Sequence, residues 1–349
     1  MAVGQGELLG GLSYIAIGRE TAYGTYNTCT AQLEPESFGL RVVQEGQVIE
    51  AITSNRVHSN RVKLGRVLEG EVSCFLNSDD NAIAYILENA LGGTPTSATA
   101  TGETTGGLAF THSFLVGDMD NSYTSLCVNA RKGDATNGQV YQYSGLRVNE
   151  LGIMAEIDSP IKMSVSMVGK DATLTSNDVS SALSAPAGEI LNFINGRLSV
   201  ENSFASLTSS SYWHIQSMEL AISNSLKADS ESRRIGSDTL DVLPSGIMNI
   251  ELTCSMRFDT TTAYDAMLAA TQLSAELEFL GSTLAGSNQK RGLKLQFPKV
   301  YINDAGDPEI PGPDALLTSE VTFHVLRDIS SASGFAIKAL LTNLASSYA

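Results

Sequence analysis

The chain is short of cysteine and of long apolar runs. Its four cysteines, Cys29, Cys74, Cys127 and Cys254, lie far apart and form no CxxC pair, which excludes the spacing used by zinc sites and thioredoxin-like redox pairs. Buried, reduced thiols are the favoured interpretation. No apolar run reaches the roughly 18 residues of a membrane-spanning helix, and residues 1–11 lack the basic start and apolar core of a signal peptide. We therefore expect a soluble product of the cytoplasm without a membrane anchor.

Positive charge is also scarce. The chain has 22 Lys and Arg against 38 Asp and Glu, a formal net charge of −16. A surface that grips nucleic acid needs clustered Lys and Arg to neutralise phosphates. An acidic surface does the opposite, because it repels phosphate and lets DNA pass without adhering. Specific binding of nucleic acid is therefore not expected.

Patterns that carry catalysis or bind metal are missing as well. The four histidines, His58, His112, His214 and His324, have no carboxylate or cysteine at ligand spacing, and no GxSxG elbow occurs among the many Ser and Thr residues. The run from Asn303 to Asp307 offers oxygen ligands but lacks the EF-hand glutamate, so a polar hairpin loop is favoured and calcium is the alternative. We predict no enzyme activity, no cofactor and no metal.

The apolar residues that are present recur at every second position along much of the chain. Phe38-Leu40-Val42 and Val72-Cys74-Leu76 show this period, which is typical of strands with one buried face. The pattern predicts a mainly β protein, with further strands at 108–116, 125–130, 139–157, 161–168, 190–202, 293–302, 318–326 and 335–342. Two segments have helical spacing instead, Asp79 to Leu91 and Thr260 to Thr271.

The two predicted helices follow strands that resemble each other. When the chain is aligned with itself without a gap so that Cys74 meets Cys254, Glu71–Cys74 matches Glu251–Cys254 and Leu40 matches Leu220. We call this alignment the ungapped match. A shift by one residue would turn each strand over, so agreement in strand parity is informative. We interpret the match as a duplicated domain.

The duplication predicts a first domain at 1–175, with the long loop 43–65, and a second domain at 190–349. The linker is 176–189, which is poor in large apolar residues and contains Pro186 and Gly188. Further along, Gly145–Val148 resembles Gly292–Leu295, in a different alignment from the ungapped match. The stretch from Thr94 to Gly107 has no counterpart in the second domain and is predicted to be a surface loop.

The octet Gly18-Arg19-Glu20-Thr21-Ala22-Tyr23-Gly24-Thr25 resembles the Gly-x-Glu-x-x-Tyr-Gly-Thr opening of many phage tail tube proteins. The order of segments behind the octet is similar to the same family over nearly the whole chain. The segments that carry this similarity are the long arm from Val43 to Gly65, the strand 70–76 and its helix, then 110–114, 143–149, 163–169, 323–328 and 341–343.

The resemblance implies a structural protein in the virion tail of a long-tailed, siphovirus-like phage or phage-like particle, made in the host bacterial cytoplasm. The implied fold is two tandem β-sandwich or partial-barrel domains, each with a flanking α-helix, that contribute strands to a shared tube barrel. Subunits join edge to edge in rings, and stacked rings form the conduit for DNA ejection. Implied partners are further copies of the chain, the tape measure protein, the tail terminator and distal tail proteins.

The arm from Val43 to Gly65 and the residue after it are basic in an otherwise acidic chain. Its cationic residues are Arg56, His58, Arg61, Lys63 and Arg66. We expect them to dock on an acidic surface of the next ring, where opposite charge favours contact. A solvated, mobile hairpin is the alternative.

Two domains per chain set an expectation for the ring. The resemblance implies six tube domains around the axis, so we predict three chains per ring with pseudo-sixfold symmetry. Glu71 and Glu251 are predicted to line an acidic lumen. The competing interpretations are another virion subunit or a tandem β-sandwich binding module, such as an adhesin or carbohydrate-binding protein. A sugar-binding module usually groups aromatic side chains, whereas Trp213 is the sole tryptophan.

Overall fold

The computed structural model describes residues 10–50, 57–58, 60–104, 108–117, 124–186, 188–207, 212–258, 261–306, 310, 316–330 and 334–348. Within these residues the protein is mainly β, which confirms the class that the alternation predicts. The helices are α1 (Asn81–Leu91) and α2 (Thr262–Leu268). The strands are β1 (Tyr14–Arg19), β2 (Ala31–Leu33), β3 (Pro35–Phe38), β4 (Arg41–Ile49), β5 (Asn60–Phe75), β6 (Thr96–Thr99), β7 (Phe110–Leu115), β8 (Leu126–Lys132), β9 (Gln139–Glu156), β10 (Lys162–Gly169), β11 (Asp171–Thr175), β12 (Gly196–Glu201), β13 (Tyr212–Trp213), β14 (Ile215–Ser223), β15 (Asn249–Arg257), β16 (Leu273–Thr283), β17 (Lys290–Ala305), β18 (Thr318–Val325) and β19 (Lys338–Asn343).

The differences from the predicted elements have local causes. The predicted strand 190–202 begins only at Gly196, because Phe193–Asn195 form a 3₁₀ turn that the Asn192 side chain caps. The sequence pattern missed β1, since Tyr14 to Gly18 are buried on both faces and show no alternation. The predicted loop 94–107 contains β6.

One continuous antiparallel sheet has eight strand positions, and we call it the main sheet. Its order is β3/β4–β5–β10–β9–β14–β15–β18–β17, where β3 and β4 follow one another along β5. Burial alternates along its strands, as in β10 and β15. One face is therefore buried and apolar. The other is polar and open to solvent except near the arm, where the loop between β14 and β15 lies against Val43, Val67 and Val168 and covers Arg147.

Two further sheets cover the apolar face of the main sheet. The first cover sheet runs β2–β1–β8–β9–β11, and the second runs β13–β12–β16–β17–β19–β7–β6. β9 and β17 are long enough to belong to both layers: their first halves pair in a cover sheet and their second halves in the main sheet. The core lies between the layers.

Helix α1 lies in this core and contacts β1, β2, β7 and β9. The helix is buried on most of its circumference: Ile83, Ile86 and Leu87 are inaccessible to solvent, and Glu88 is nearly so. The helix begins after Asp80, whose carboxylate accepts a hydrogen bond from the Ala82 N–H at 2.8 Å. The predicted helical segment starts at Asp79, two residues before the observed helix.

Strand pairing relates the two halves of the chain residue by residue. Ser37 lies opposite Ser73 beside a bulge, and Ser217 lies opposite Ser255 beside a bulge at the same place. β3 therefore corresponds to β14 as in the ungapped match, which also equates Ser37 with Ser217. In the partner strands, however, pairing equates Ser73 with Ser255, whereas the ungapped match equates it with Thr253. The alignment of β5 with β15 from strand pairing therefore differs from the ungapped match by two residues. A shift of two residues leaves each side chain on the same face of the sheet.

Further bulges extend the relationship. β9 bulges between Val148 and Glu150 where it faces β10, and β17 bulges between Ile302 and Asp304 where it faces β18. Pairing thus makes Val148 correspond to Ile302, and Glu150 correspond to Asp304. The bulges that β9 and β17 make against β8 and β16 give the same alignment of the two strands. The sequence match of Gly145 with Gly292 is therefore not the one that the pairing supports.

The two halves also contact each other outside the main sheet. β7 of the first half pairs with β19 of the second. Residues 176–192 connect the halves and are not free of packing: Val179 and Leu191 are buried, and the Val179 N–H donates to the Tyr14 hydroxyl at 3.0 Å.

Candidate assembly surfaces

The β4–β5 hairpin projects from one end of the main sheet. Pairing of β5 with β10 ends where Leu68 faces Gly169, while pairing with β4 continues to Asn60. The part of β5 from Asn60 to Val67 thus lies beyond the neighbouring strand, which corresponds to about 26 Å. The predicted arm is therefore an extended two-stranded ribbon at its base.

The cationic residues of the arm divide into two groups. Arg56 lies outside the described residues, and His58 and Arg61 are exposed. Lys63 and Arg66 instead contact acidic groups of the same chain: the Lys63 Nζ lies 2.5 Å from the Asp238 carboxylate, and Arg66 lies 2.9 Å from Asp171. All of these cationic residues remain predicted ring-to-ring contacts. Lys63, which stays exposed, and Arg66 in addition fasten the arm to its own chain.

The loop between β14 and β15 supplies this anchor. The Arg66 N–H donates to the Asp238 carbonyl at 2.7 Å, and Arg233 lies 4.0 Å from Glu45 of β4. Because β14 and β15 correspond to β3/β4 and β5, this loop corresponds to the arm itself, but it folds back instead of projecting. The two halves therefore differ at this end of the main sheet.

The polar face of the main sheet carries the two predicted lumen residues. Glu71 faces Ser166 of β10 and is exposed. Glu251 faces Ala221 of β14 and His324 of β18, with 3.6 Å between its carboxylate and the His324 Nε2. Both glutamates lie on the same solvent-facing side of one sheet. They are not at equivalent positions, because strand pairing makes Glu251 correspond to Glu69 and not to Glu71.

Carboxylates dominate this face. Cations on it include Arg41, Lys162 and Arg257, of which Lys162 is paired with Glu36 at 2.9 Å. The acidic residues on it are Glu69, Glu71, Glu150, Glu156, Glu219, Glu251, Asp304 and Glu320. The face therefore presents a negative potential to anything that passes it.

The two outer strands of the main sheet have open edges. β3 and β4 pair with β5 on one side, and among the described residues no strand pairs with their other side. β17 pairs with β16 only as far as Val300, so the edge from Tyr301 to Ala305 opposite β18 is also unpaired within the described chain. Unpaired backbone N–H and C=O groups at such edges accept a further strand.

The octet that carries the family resemblance joins three elements. Glu20 is buried, and its carboxylate accepts hydrogen bonds from the Gly24 N–H at 2.8 Å, the Ser125 hydroxyl at 2.5 Å and the Gly145 N–H at 2.8 Å. Burial raises the pKa of the Glu20 carboxyl, and these donors oppose the rise. The octet is therefore structural: it fastens the end of β1 to β8 and to the bend of β9.

One histidine and all four cysteines lie in buried surroundings. His112 is buried between the Ser97 hydroxyl (2.8 Å) and the Asn343 amide (3.1 Å), and burial lowers the pKa of its imidazole. All four cysteines are buried and free, and the Cys29 and Cys127 Sγ atoms are 3.6 Å apart. In the part of the chain that the structure describes, no group of three or more His, Cys, Asp or Glu residues could hold a metal ion.

Trp213 is packed rather than displayed. Its ring lies 5.7 Å from that of Phe323 and is part of the core boundary. A platform on which a sugar ring could stack would need its aromatic face open. Among the described helices none is long and apolar enough to cross a membrane.

Comparison with known proteins agrees with the geometry. No curated protein matches the chain. A family model described as "Phage tail tube protein" matches residues 10–325, which takes in the octet, both helices and the whole main sheet. This family is structural, and its members build the virion tail. The chain, with its sheet open at both edges and its acidic polar face, belongs to the phage tail tube protein family.

Proposed function

We propose that this chain polymerises into stacked rings that form the tail tube of a siphovirus-like phage, the conduit for DNA ejection. The observation that carries the proposal is the main sheet, which has an open edge at β3/β4 and another at β17. Long open edges are a liability in a lone subunit, and closure into a shared barrel removes them.

The ring contains three chains, each contributing two tail-tube-like domains. Support comes from the matching bulges, which relate β3–β5, β9 and β10 of the first half to β14, β15, β17 and β18 of the second. Eight main-sheet positions per chain give about 24 strands for three chains. Strands about 4.8 Å apart and tilted by about 40° then enclose a backbone radius of about 24 Å, which leaves an aqueous channel.

The polar face of the main sheet lines this channel. Its apolar face is covered by the cover sheets and α1, so only the polar face is free to border water. Glu71 and Glu251 are then lumen residues, and the excess of carboxylates keeps phosphate from adhering.

The arm links one ring to the next. It reaches about 26 Å past its neighbouring strand, and its base is held by Lys63 and Arg66 so that the projecting part is aimed away from the sheet. The cationic residues of the arm, Arg56, His58, Arg61, Lys63 and Arg66, then meet acidic surface on the neighbouring ring. At the ends of the tube the partners are the tape measure, tail terminator and distal tail proteins.

Electron microscopy of the purified chain tests the proposal. Tubes, or rings with six similar domains built from three chains, are expected. Their symmetry should be threefold, because the first half of each chain projects an arm where the second half has a loop that folds back. Rings of six chains would contradict the count of two tube domains per chain. A protein that stays monomeric at high concentration and in the presence of the partner proteins would contradict assembly into a tube.

A further inference from the structure

The strand pair between β9 and β14 joins the two halves of this chain. Ser223 lies opposite Glu150, Ile222 opposite Leu151 and Ala221 opposite Gly152. Ile222 and Leu151 are buried on the apolar face, while Glu150 is exposed on the polar face. At this junction β14, the first main-sheet strand of the second half, pairs with the second half of β9 in the first half of the chain.

The bulges identify the corresponding residues on the two open edges. Because pairing equates β3/β4 with β14, Ser223 and Ile222 correspond to Val43 and Val42 of β4. Because it equates the bulges of β9 and β17, Glu150 and Leu151 correspond to Asp304 and Ala305 of β17. Within the chain β9 pairs with β14. At the equivalent edge of β17, no strand of the described chain takes the place that β14 occupies on β9.

We propose that β4 of one copy pairs antiparallel with the end of β17 of a second copy, with Val43 opposite Asp304, Val42 opposite Ala305 and Arg41 opposite Gly306. This inference rests on the proposed ring and specifies its lateral contact. A second copy is required, because the two edges of one chain are separated by seven strand spacings, about 34 Å.

The faces of the two strands agree with this register. Val42 points to the apolar face, yet it is 37% exposed, whereas the corresponding Ile222 is 3% exposed beneath its junction partner. Pairing with Ala305 covers Val42 in the same way. A shift by one residue would bring Val42 to the polar face and Asp304 to the apolar one, which is costly for a carboxylate.

Charge also favours the register. Arg41 and Asp304 are both exposed on the polar face. With Val43 opposite Asp304, Arg41 is the diagonal neighbour of Asp304, within reach of a long side chain. The internal junction has no such pair at this place, since Ala221 and Glu150 occupy the corresponding positions. The contact between copies thus has an ion pair that the contact within the chain lacks.

Mixed cysteine variants test the pairing. Chains carrying Val43→Cys are mixed with chains carrying Asp304→Cys, allowed to assemble and oxidised, and covalent dimers are measured on a non-reducing gel. Directly opposite residues are close enough for a disulfide, so at least a tenfold excess of dimer is expected over a mixture of Arg41→Cys with Asp304→Cys. In this control the thiols are displaced along the strand by about 6.6 Å. Each variant alone should give no dimer, because its introduced thiol then faces a native Asp304 or Val43 and the native cysteines are buried.

The outcomes separate this inference from the proposed tube. Rings in the microscope without a Val43–Asp304 cross-link, or with the control pair cross-linked instead, would overturn the lateral register and leave the tube intact. Cross-linked dimers without any tube would support the strand pairing and count against the proposed function.

Discussion

The Glu20 carboxylate and the Gly145 backbone N–H lie 2.8 Å apart, although 125 residues separate them in the chain. Gly145 has a φ of +68° and stands where β9 leaves the first cover sheet for the main sheet. The octet at the start of the chain therefore holds the bend that lets one strand serve both layers.

Substituting this glycine should destabilise the fold. In Gly145→Ala the new Cβ would lie 2.7 Å from the Lys170 Cβ, and the left-handed backbone adds strain, so we expect a loss of about 2–4 kcal/mol in the free energy of unfolding. The matched control is Gly236→Ala, because Gly236 also has a positive φ, of +96°, but nothing lies within 4 Å of its Cβ position. It should lose only about 1 kcal/mol. Equal losses by denaturant titration would show that packing at the bend does not matter.

Asp80 gives the stability a specific pH dependence. Burial raises the pKa of its carboxyl from 3.8 to about 7, even though the Ala82 N–H donates to it. Because the folded pKa is above the unfolded one, the contribution of Asp80 is fully present below pH 3.8 and is lost as the pH rises through about 7.

Asp80→Asn keeps an N-cap acceptor and removes the titration. The variant should match the parent near pH 4 and exceed it by about 4 kcal/mol at pH 8, measured as the free energy of unfolding at each pH. A difference that is the same at both pH values would contradict a raised pKa. A larger difference at low pH would give the shift the opposite sign.

Shortening the arm should separate ring formation from stacking. Replacing residues 46–63 with an Asn-Gly turn keeps Val43 and Arg66, so that the edge of β4 and the contact with Asp171 survive. We expect folded protein that forms single rings but no long tubes, because the ring-to-ring contact is missing. Electron microscopy and sedimentation compare it with the charge variant His58→Glu/Arg61→Glu, which should also elongate poorly. Normal tubes from the shortened chain would remove the arm from the stacking contact.

Reversing a lumen charge should make the tube retain DNA. Glu71→Lys changes the polar face of the main sheet, and Glu34→Lys makes the same change at an exposed position between β2 and β3, outside that face. Tubes of Glu71→Lys should bind short duplex DNA several-fold more tightly at low salt than tubes of Glu34→Lys, with the difference fading as salt rises. Equal retention by the two variants would place Glu71 away from the channel.

The alternation of apolar residues was enough to predict the class, most strands and α1. β9 was predicted at 139–157 and runs from Gln139 to Glu156, since its side chains alternate between a core and a wet face over most of its second half. The alternation does not predict β1, because Ile15 and Ile17 face one hydrophobic core while Tyr14 and Ala16 face another. Neither face of this strand is therefore marked by polar residues.

The sequence by itself determined a mainly β chain, its acidity and its resemblance to tail tube proteins, because each depends on composition, on a period of two or on a short motif. Tertiary structure decided the register. A period of two cannot reveal a slip by one full period, so Glu71 and Glu251 matched in sequence although pairing equates Glu251 with Glu69. It also decided which charges are free, because Asp238 lies 175 residues after Lys63 and only the fold brings their side chains together.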